Sequence, residues 1–385
     1  MKVIKLSMVT IGLIGVCTSS MAGDSFLDSL KEGKIKGEAK AYYFNRDTKS
    51  KTNERSGIFT TGVSLEYKTK SYNGFDLGVL MQSSSSPFAS EDAKSEYNAD
   101  MYGSGAQLSN AYLEYNVFDT NIKIGRQFID TPLIRGSSSR VIEQAFEGET
   151  IVSKLIPKTE ISLININKYQ NRTDQEGNVG KFEDVGEHSV PSILIATDVI
   201  PNTVVRAQYL DVKDDYKTRY FDIEYKNEIN DIGYNLAYQY VSSKTEKGDK
   251  SNVYAMRVGI DKGNFSSYIA YSKTNEGNKP KLGLGSGVYG VYYTKSTVAA
   301  AAGVVNTKGA EAYALNLQYK ISGVKVGARY VTLKEPNGNK TKIPGAFVSY
   351  NFTKALNLNL AYEQHKYDFS DDNDSEMRLK LRYKF

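Results

Sequence analysis

The sequence predicts an all-β fold: a transmembrane antiparallel β-barrel of about 18 strands, with short turns at one end and long loops at the other. Three observations predict it. The last nine residues, Met377 to Phe385, alternate without a fault between apolar and basic side chains. Eight short turn segments punctuate the chain, each between two alternating runs. After residue 22 no stretch of about 18 apolar residues is available for a membrane helix, so only strands can cross.

The closing segment shows why a barrel is needed. Successive strand side chains point to opposite faces, so Met377, Leu379, Leu381, Tyr383 and Phe385 share one face and Arg378, Lys380, Arg382 and Lys384 the other. No soluble core accepts the second face. Lipid accepts the first and a water-filled lumen the second. The aromatic terminus at Phe385 also resembles the closing strand of bacterial outer-membrane proteins.

The 385 residues include 29 Tyr and 32 Gly but no Trp, so interfacial aromatic girdles must be built from Tyr and Phe. Residues 1–22 read as a secretory leader: Lys2 and Lys5, an apolar run, then Ser20-Met21-Ala22 as a small-x-small site cut before Gly23. Bulky Val16 before Cys17 argues against lipidation. The mature domain, residues 23–385, then holds no cysteine, hence no disulfide and no thiolate metal site. Losing Lys2 and Lys5 takes the net charge from +5 to 47 − 44 = +3, too little to predict a nucleic-acid partner.

Turns are read at 71–74, 118–120, 156–158, 200–202, 228–231, 261–264, 321–323 and 352–354. With eight turns at the end that holds both termini, the strand count is 2 × (8 + 1) = 18. Val63, Leu65 and Tyr67 alternate with Ser64, Glu66 and Lys68; Phe221, Ile223 and Tyr225 with Asp222, Glu224 and Lys226; Tyr254, Met256 and Val258 flank Arg257. Leu315, Leu317 and Tyr319 alternate with Asn316 and Gln318, and Leu356 to Tyr362 follow the same rule. Between Ile161 and Asn167 the parity slips, which reads as a bulge or a strand end. Long polar connections at about 85–107, 129–147, 170–189 and 275–308 occupy the other rim, where structureless segments of that length usually carry function.

Other motifs offer little chemistry. Gly285-Ser286-Gly287-Val288-Tyr289-Gly290 fits G-x-G-x-x-G but follows no strand and opens no helix, so it reads as a flexible loop. Residues 368–374 are acidic but lack EF-hand spacing, so a solvated loop is expected rather than a Ca²⁺ site. His188 and His365 have no spaced metal partner. Ser349, Glu363 and His365 are the one inward combination with hydrolase chemistry. An adhesive role for loop 275–308 is a third class.

Two stretches resemble the OprD family of outer-membrane carboxylate channels: Tyr42-Tyr43-Phe44-Asn45-Arg46-Asp47, and Gly125-Arg126-Gln127 with Thr131-Pro132-Leu133-Ile134, Arg140 and Phe146-Glu147-Gly148. Where the family tends to carry a proline three residues after the loop arginine, this chain has Glu143. The resemblance implies an 18-strand barrel, monomeric or loosely trimeric, whose third loop folds inward as a charge-selective constriction here carrying Arg126, Asp130, Arg135, Arg140 and Glu143. From the residues alone, the same five also fit an exposed outer loop held by ordinary ion pairs.

The basic row of the last strand needs its own account. Side chains two apart lie about 6.7 Å from one another, within a Debye length of about 8 Å. At an effective dielectric of about 20 each neighbouring pair repels by about 2.5 kcal/mol. Inward carboxylates on the flanking first and seventeenth strands are Glu38 and Glu363, with Glu376 at the rim, against six bases once Lys36 and Lys40 join the row. Arg206, Arg257, Lys325 and Arg329 also fall on inward parity. Two readings stay open: these bases pair with lumen acids such as Asp222 and Glu224, or their surplus forms a track along which an anion exchanges partners.

The expectation is therefore a non-enzymatic outer-membrane channel for passive diffusion of small carboxylate-bearing solutes, with no cofactor, lying among outer-membrane lipid and lipopolysaccharide. A general trimeric porin with weak ion preference is the alternative.

Overall fold

The computed structural model describes residues 25–48, 55–275, 277–298 and 307–385. The leader read at 1–22 lies outside them, as does part of the 275–308 loop.

Eighteen antiparallel strands close into a barrel: β1 (Lys34–Thr48), β2 (Arg55–Lys68), β3 (Phe75–Ser84), β4 (Gly105–Val117), β5 (Thr120–Gln127), β6 (Phe146–Ser153), β7 (Thr159–Gln170), β8 (Val190–Thr197) and β9 (Thr203–Val212) form one half. The other half comprises β10 (Tyr216–Ile229), β11 (Ile232–Thr245), β12 (Lys250–Lys262), β13 (Phe265–Thr274), β14 (Glu311–Ile321), β15 (Val324–Lys334), β16 (Lys340–Asn351), β17 (Leu356–Tyr367) and β18 (Asp374–Lys384). The alternating closing strand pairs back onto the first, from Glu38 opposite Lys384 to Thr48 opposite Asp374. A short strand, Phe182–Asp184, adds onto the end of β7 outside this ring. Two one-turn-and-a-half helices, α1 (Phe26–Lys31) and α2 (Glu91–Glu96), complete the regular elements with a 3₁₀ segment, Ser286–Val291.

All eight short turns stand where the sequence places them. Several have both central residues at positive φ, such as Asn73 and Gly74 (50° and 85°) and Asn230 and Asp231 (51° and 60°). That geometry matches the right-handed twist of the flanking strands, and Asn, Asp and Gly are the residues that tolerate it. The alternation also holds: Val63, Leu65, Met256, Val258, Leu315 and Leu317 lie on the outer face, and Asp222, Gln239 and Arg378 on the inner. Tyrosine and phenylalanine build both girdles. Tyr240–Tyr254 and Tyr271–Tyr313 pair toward the long-loop end; Tyr225–Tyr234, Tyr350–Phe352 and Tyr383–Phe385 pair toward the short-turn end.

The parity slip in β7 has two sources. Asn167 is a bulge, because Glu147 faces Lys168 while Gly148 faces Ile166. The larger cause is that β7 is apolar on both faces: Leu163 looks outward, while Ile164 and Ile166 are buried inside the barrel. They belong to a core formed with Leu210, Val212, Val241 and Val253 of the wall and Ile129, Leu133, Ile134, Leu282 and Tyr292 of two loops. A second core packs Ala93, Tyr97 and Met101 of the 85–104 loop on Tyr42, Phe44 and Ile58. The lumen is thus narrowed by loops that bury apolar side chains against the inner wall.

The two faces of one strand should respond oppositely to charge. Leu360→Arg, on the outer face of β17, is expected to cost about 2–4 kcal/mol in the folding free energy, whereas Asn359→Arg, beside it on the lumen face, should cost far less. Urea unfolding in lipid vesicles reads both.

Candidate functional site

The 128–145 loop and the 277–298 segment meet inside the barrel through their main chains. The Arg135 N–H donates to the Leu284 carbonyl at 3.0 Å, Leu284 N–H to Leu133 at 2.8 Å and Gly287 N–H to Arg135 at 3.0 Å. The glycines read as a flexible loop are what this contact requires. A Cβ on Gly285 would lie 2.2 Å from the Arg135 carbonyl oxygen, on a residue with φ of 85°, and one on Gly287 would lie 2.1 Å from that of Gly136. Glycine permits both the backbone angle and the approach.

Arg135 and Lys295 stand at this crossing and line both lumen cavities, one of about 680 Å³ and one of about 520 Å³. The larger lies against the basic row of β18. Arg378 donates to Glu376 at 2.7 Å and to the Val298 carbonyl; Lys380 reaches the Ser139 carbonyl at 2.7 Å; Arg382 meets the Asn357 amide oxygen at 3.3 Å. Lys384 is exposed at the lower edge.

The expected carboxylate neutralisation is corrected in detail. Glu363 is fully buried, and among its partners are the Val298 N–H at 2.7 Å, the Ser296 hydroxyl and the His365 ring at 2.9 Å. Glu38 pairs with Lys40, and Glu376 sits inside the lumen between Arg378 and Arg46. Loop carbonyls and aromatic faces take up the remainder: the Arg140 and Arg378 guanidiniums lie 5.1 Å and 5.0 Å from the centre of the Phe44 ring, and Lys380 lies 5.3 Å from that of Tyr42.

One residue that pattern reading did not find ties this wall together. Asp100, at the end of the 85–104 loop, receives Arg46 at 2.8 Å, Arg140 at 2.8 Å and Arg172 at 2.5 Å, from the barrel wall and two further loops. Burial raises an isolated carboxyl, but the Arg140 and Arg172 guanidiniums hold that of Asp100 well below the usual carboxylate range. Nothing in its local sequence marks Asp100, because its partners lie 40 to 72 residues away.

The smaller cavity is closer to balance. Arg206 makes a bidentate pair with Asp222 at 2.7 and 2.9 Å, and Arg257 pairs with Glu224, so for these two the lumen-acid reading holds. Arg329 bonds Asn316 and the carbonyls of Lys295 and Ser296. Lys325 lies 5.8 Å from the Phe347 ring centre. Burial and the cations of Arg329, Arg135 and Arg257 hold the Lys295 ammonium down to about 8.

Within the third loop, Asp130 pairs with Arg135 at 2.8 Å and Arg140 joins Asp100. Burial raises the Glu143 carboxyl, with Lys40 opposing the shift, and its main chain is clasped by Gln82. Arg126 is the correction here. It shares the parity of outward Ile124 and sits on the outer face, bonded to Glu147 at 2.8 Å under the Phe182 ring. Pattern matching included it because it borders the loop. The Ser349–His365 pairing does not assemble: His365 meets Glu363 at 2.9 Å, while Ser349 faces Asn359, six residues or about 20 Å down the strand. Among the described residues no group of His, Cys, Asp and Glu has metal-site geometry, the 368–374 loop included.

Asp100→Asn leaves three guanidiniums short of a counter-charge, and breaking a buried pair costs about 3–5 kcal/mol. The expected outcome is loosened loops, read as faster protease cleavage within 85–104 and noisier single-channel current. The depressed carboxyl pKa places this contribution fully above the unfolded value, to be lost only as pH falls through the lower folded value. Acidification to about pH 5 should therefore leave the wild type quiet.

The chain matches the family model described as outer membrane porin, OprD family, over residues 27–385. Among solved structures it is similar to Acinetobacter baumannii OccAB4 (16% identity, TM-score 0.77, covering 92% of this chain and 98% of that one). Similar too are Pseudomonas aeruginosa OpdK with vanillate (14%, 0.76, 92% and 99%) and Pseudomonas aeruginosa OccK2 (OpdF) in complex with glucuronate (14%, 0.77, 92% and 98%). No curated protein matches by sequence. A closed 18-strand barrel, an inward third loop and a family match spanning nearly the whole chain lead to one conclusion: this protein belongs to the OprD family of outer-membrane porins.

Proposed function

We propose that this porin passes small carboxylate-bearing solutes by passive diffusion, selecting them at the Arg135–Lys295 crossing and along the β18 row. One observation carries the reading. The larger cavity is lined by Arg46, Arg135, Arg140, Arg172, Lys295, Arg378, Lys380 and Arg382, against Glu376 as its one lining carboxylate among the described residues. Similar structures carry vanillate and glucuronate, both carboxylates, which supports an anionic solute without naming this chain's own.

The eight cations divide by role. Arg46, Arg140 and Arg172 hold loops through Asp100. Arg382, with a single long bond to Asn357, keeps most of its planar fork for a solute, and Arg135 and Lys295 face both cavities. A carboxylate would exchange one such partner for the next, each contact weak enough to release it. Cleavage of the leader after Ala22, and a monomer or loose trimer among outer-membrane lipid and lipopolysaccharide, complete the proposal.

Planar-bilayer recording tests it. Small conductance with saturable block by particular small carboxylates is expected, and Arg382→Ala or Arg378→Ala should weaken block by about 10- to 100-fold, the value of a charge-assisted bond. Large, unsaturable current indifferent to both changes would favour a general diffusion porin.

The crossing predicts a pH effect. Lys295 loses its proton above about 8, so anion preference in a salt gradient should fall as pH rises from about 7 to about 9. Lys295→Ala should have weaker preference at pH 7 and a flatter profile, read from reversal potentials.

A further inference from the structure

We propose that the outer face of β15–β17 holds a binding site for the phosphates of an acylated outer-leaflet lipid, built from Lys334, Lys340, Lys342 and Lys366. All four share outward parity with Tyr330, Val348 and Tyr362, so they face the bilayer side and not the lumen. Strand register sets them directly against each other: Lys334 opposite Lys340, and Lys342 opposite Lys366. Opposed side chains lie about 5 Å apart at Cβ, and like charges so placed destabilise a sheet. Lys340 and Lys342 are about 6.7 Å apart on one strand. The four therefore form a single patch of positive charge.

Four lysines here face two carboxylates at the edge of the patch, Glu311, whose carboxyl Lys273 and Lys334 hold down, and Asp368, so the patch keeps a positive surplus. Within the described residues none of the four ammoniums makes an ion pair or hydrogen bond. The nearest carboxylates are engaged: Asp368 accepts the Lys340 backbone N–H at 2.7 Å, and Glu311, facing Lys334, bonds Lys273 at 2.9 Å. A comparable row, Lys217–Lys244–Lys250, shows the contrast, because Lys217 there meets Asp211 and Glu246 at 3.7 and 3.4 Å.

Height identifies the occupant. Lys334 stands two residues beyond Thr332, which lies opposite the girdle ring of Tyr313, and Lys366 four residues beyond outward Tyr362. With strand tilt that sets Lys334 about 5 Å above the girdle, toward the headgroups. Beneath the lysines, Pro344 and Ala346 face outward beside Ala328, between the two tyrosines. Small apolar side chains between two tyrosines suit contact with an acyl chain. Phosphate above and hydrocarbon below is the chemistry of a phosphorylated glycolipid, whereas a free anion would have no use for the apolar surface.

Native mass spectrometry of the full chain in nonionic detergent, with bisphosphorylated lipid A as probe, tests this. Wild type should retain the lipid, and a variant with all four lysines changed to Ser should retain at least about tenfold less, as should the single Lys342→Glu. Lys217→Ser/Lys244→Ser should bind like wild type. Single-channel conductance equal to wild type shows that the variants fold and that the solute pathway is separate. Equal retention of dephosphorylated lipid A, displacement by inorganic phosphate, or undiminished binding by both the quadruple variant and Lys342→Glu would each overturn the proposal.

Discussion

Hydrocarbon offers a peptide group no hydrogen-bond partner, and this protein is arranged around that fact. Each unpaired N–H or C=O in the bilayer costs several kcal/mol, so a sheet can cross only if its two edges join. The pairing of β1 with β18 removes both edges. Once the sheet is closed, every strand has one side in lipid and one in water. The two-residue period then follows, with its apolar band, its Tyr and Phe girdles and its charged interior.

The same constraint explains how so many cations coexist inside. A lumen that repels itself is tolerable only where acceptors are near, and beside the carboxylates of Asp100 and Glu376 the acceptors on this wall include main-chain carbonyls of inward loops and the faces of Tyr42 and Phe44. Carbonyls and rings offset repulsion without cancelling charge. The wall opposite behaves differently, since Arg206 and Arg257 meet carboxylates. The lumen is consequently lopsided, with net positive character concentrated on the β18 side.

What was legible in the sequence was what depends on neighbours along the chain. Turn positions, strand number and the facing of nearly every strand residue follow from local rules that a closed barrel enforces throughout. What was not legible depends on loops returning to the wall. Asp100 gathers three arginines, Glu363 bonds Ser296 and Val298 of a returning loop, and Ile164 and Ile166 face inward because loop side chains cover them. The seeming slip at β7 was one trace that packing inside the lumen left in the pattern; inward Leu210, Val212, Val241 and Val253 are others. Arg126 fails for a simpler reason: membership of a motif says nothing about which side of the sheet a residue takes, and Arg126 shares the outward face of Ile124.

The glycines at 285 and 287 have one more consequence. Because the 128–145 and 277–298 segments touch through main chain, the bore at their crossing is bounded by peptide groups that side-chain replacements away from the close-approach glycines do not press on directly. Arg135 and Lys295 project from that frame. Width and charge at the crossing are thus separable properties: the frame sets one and the side chains that project from it set the other.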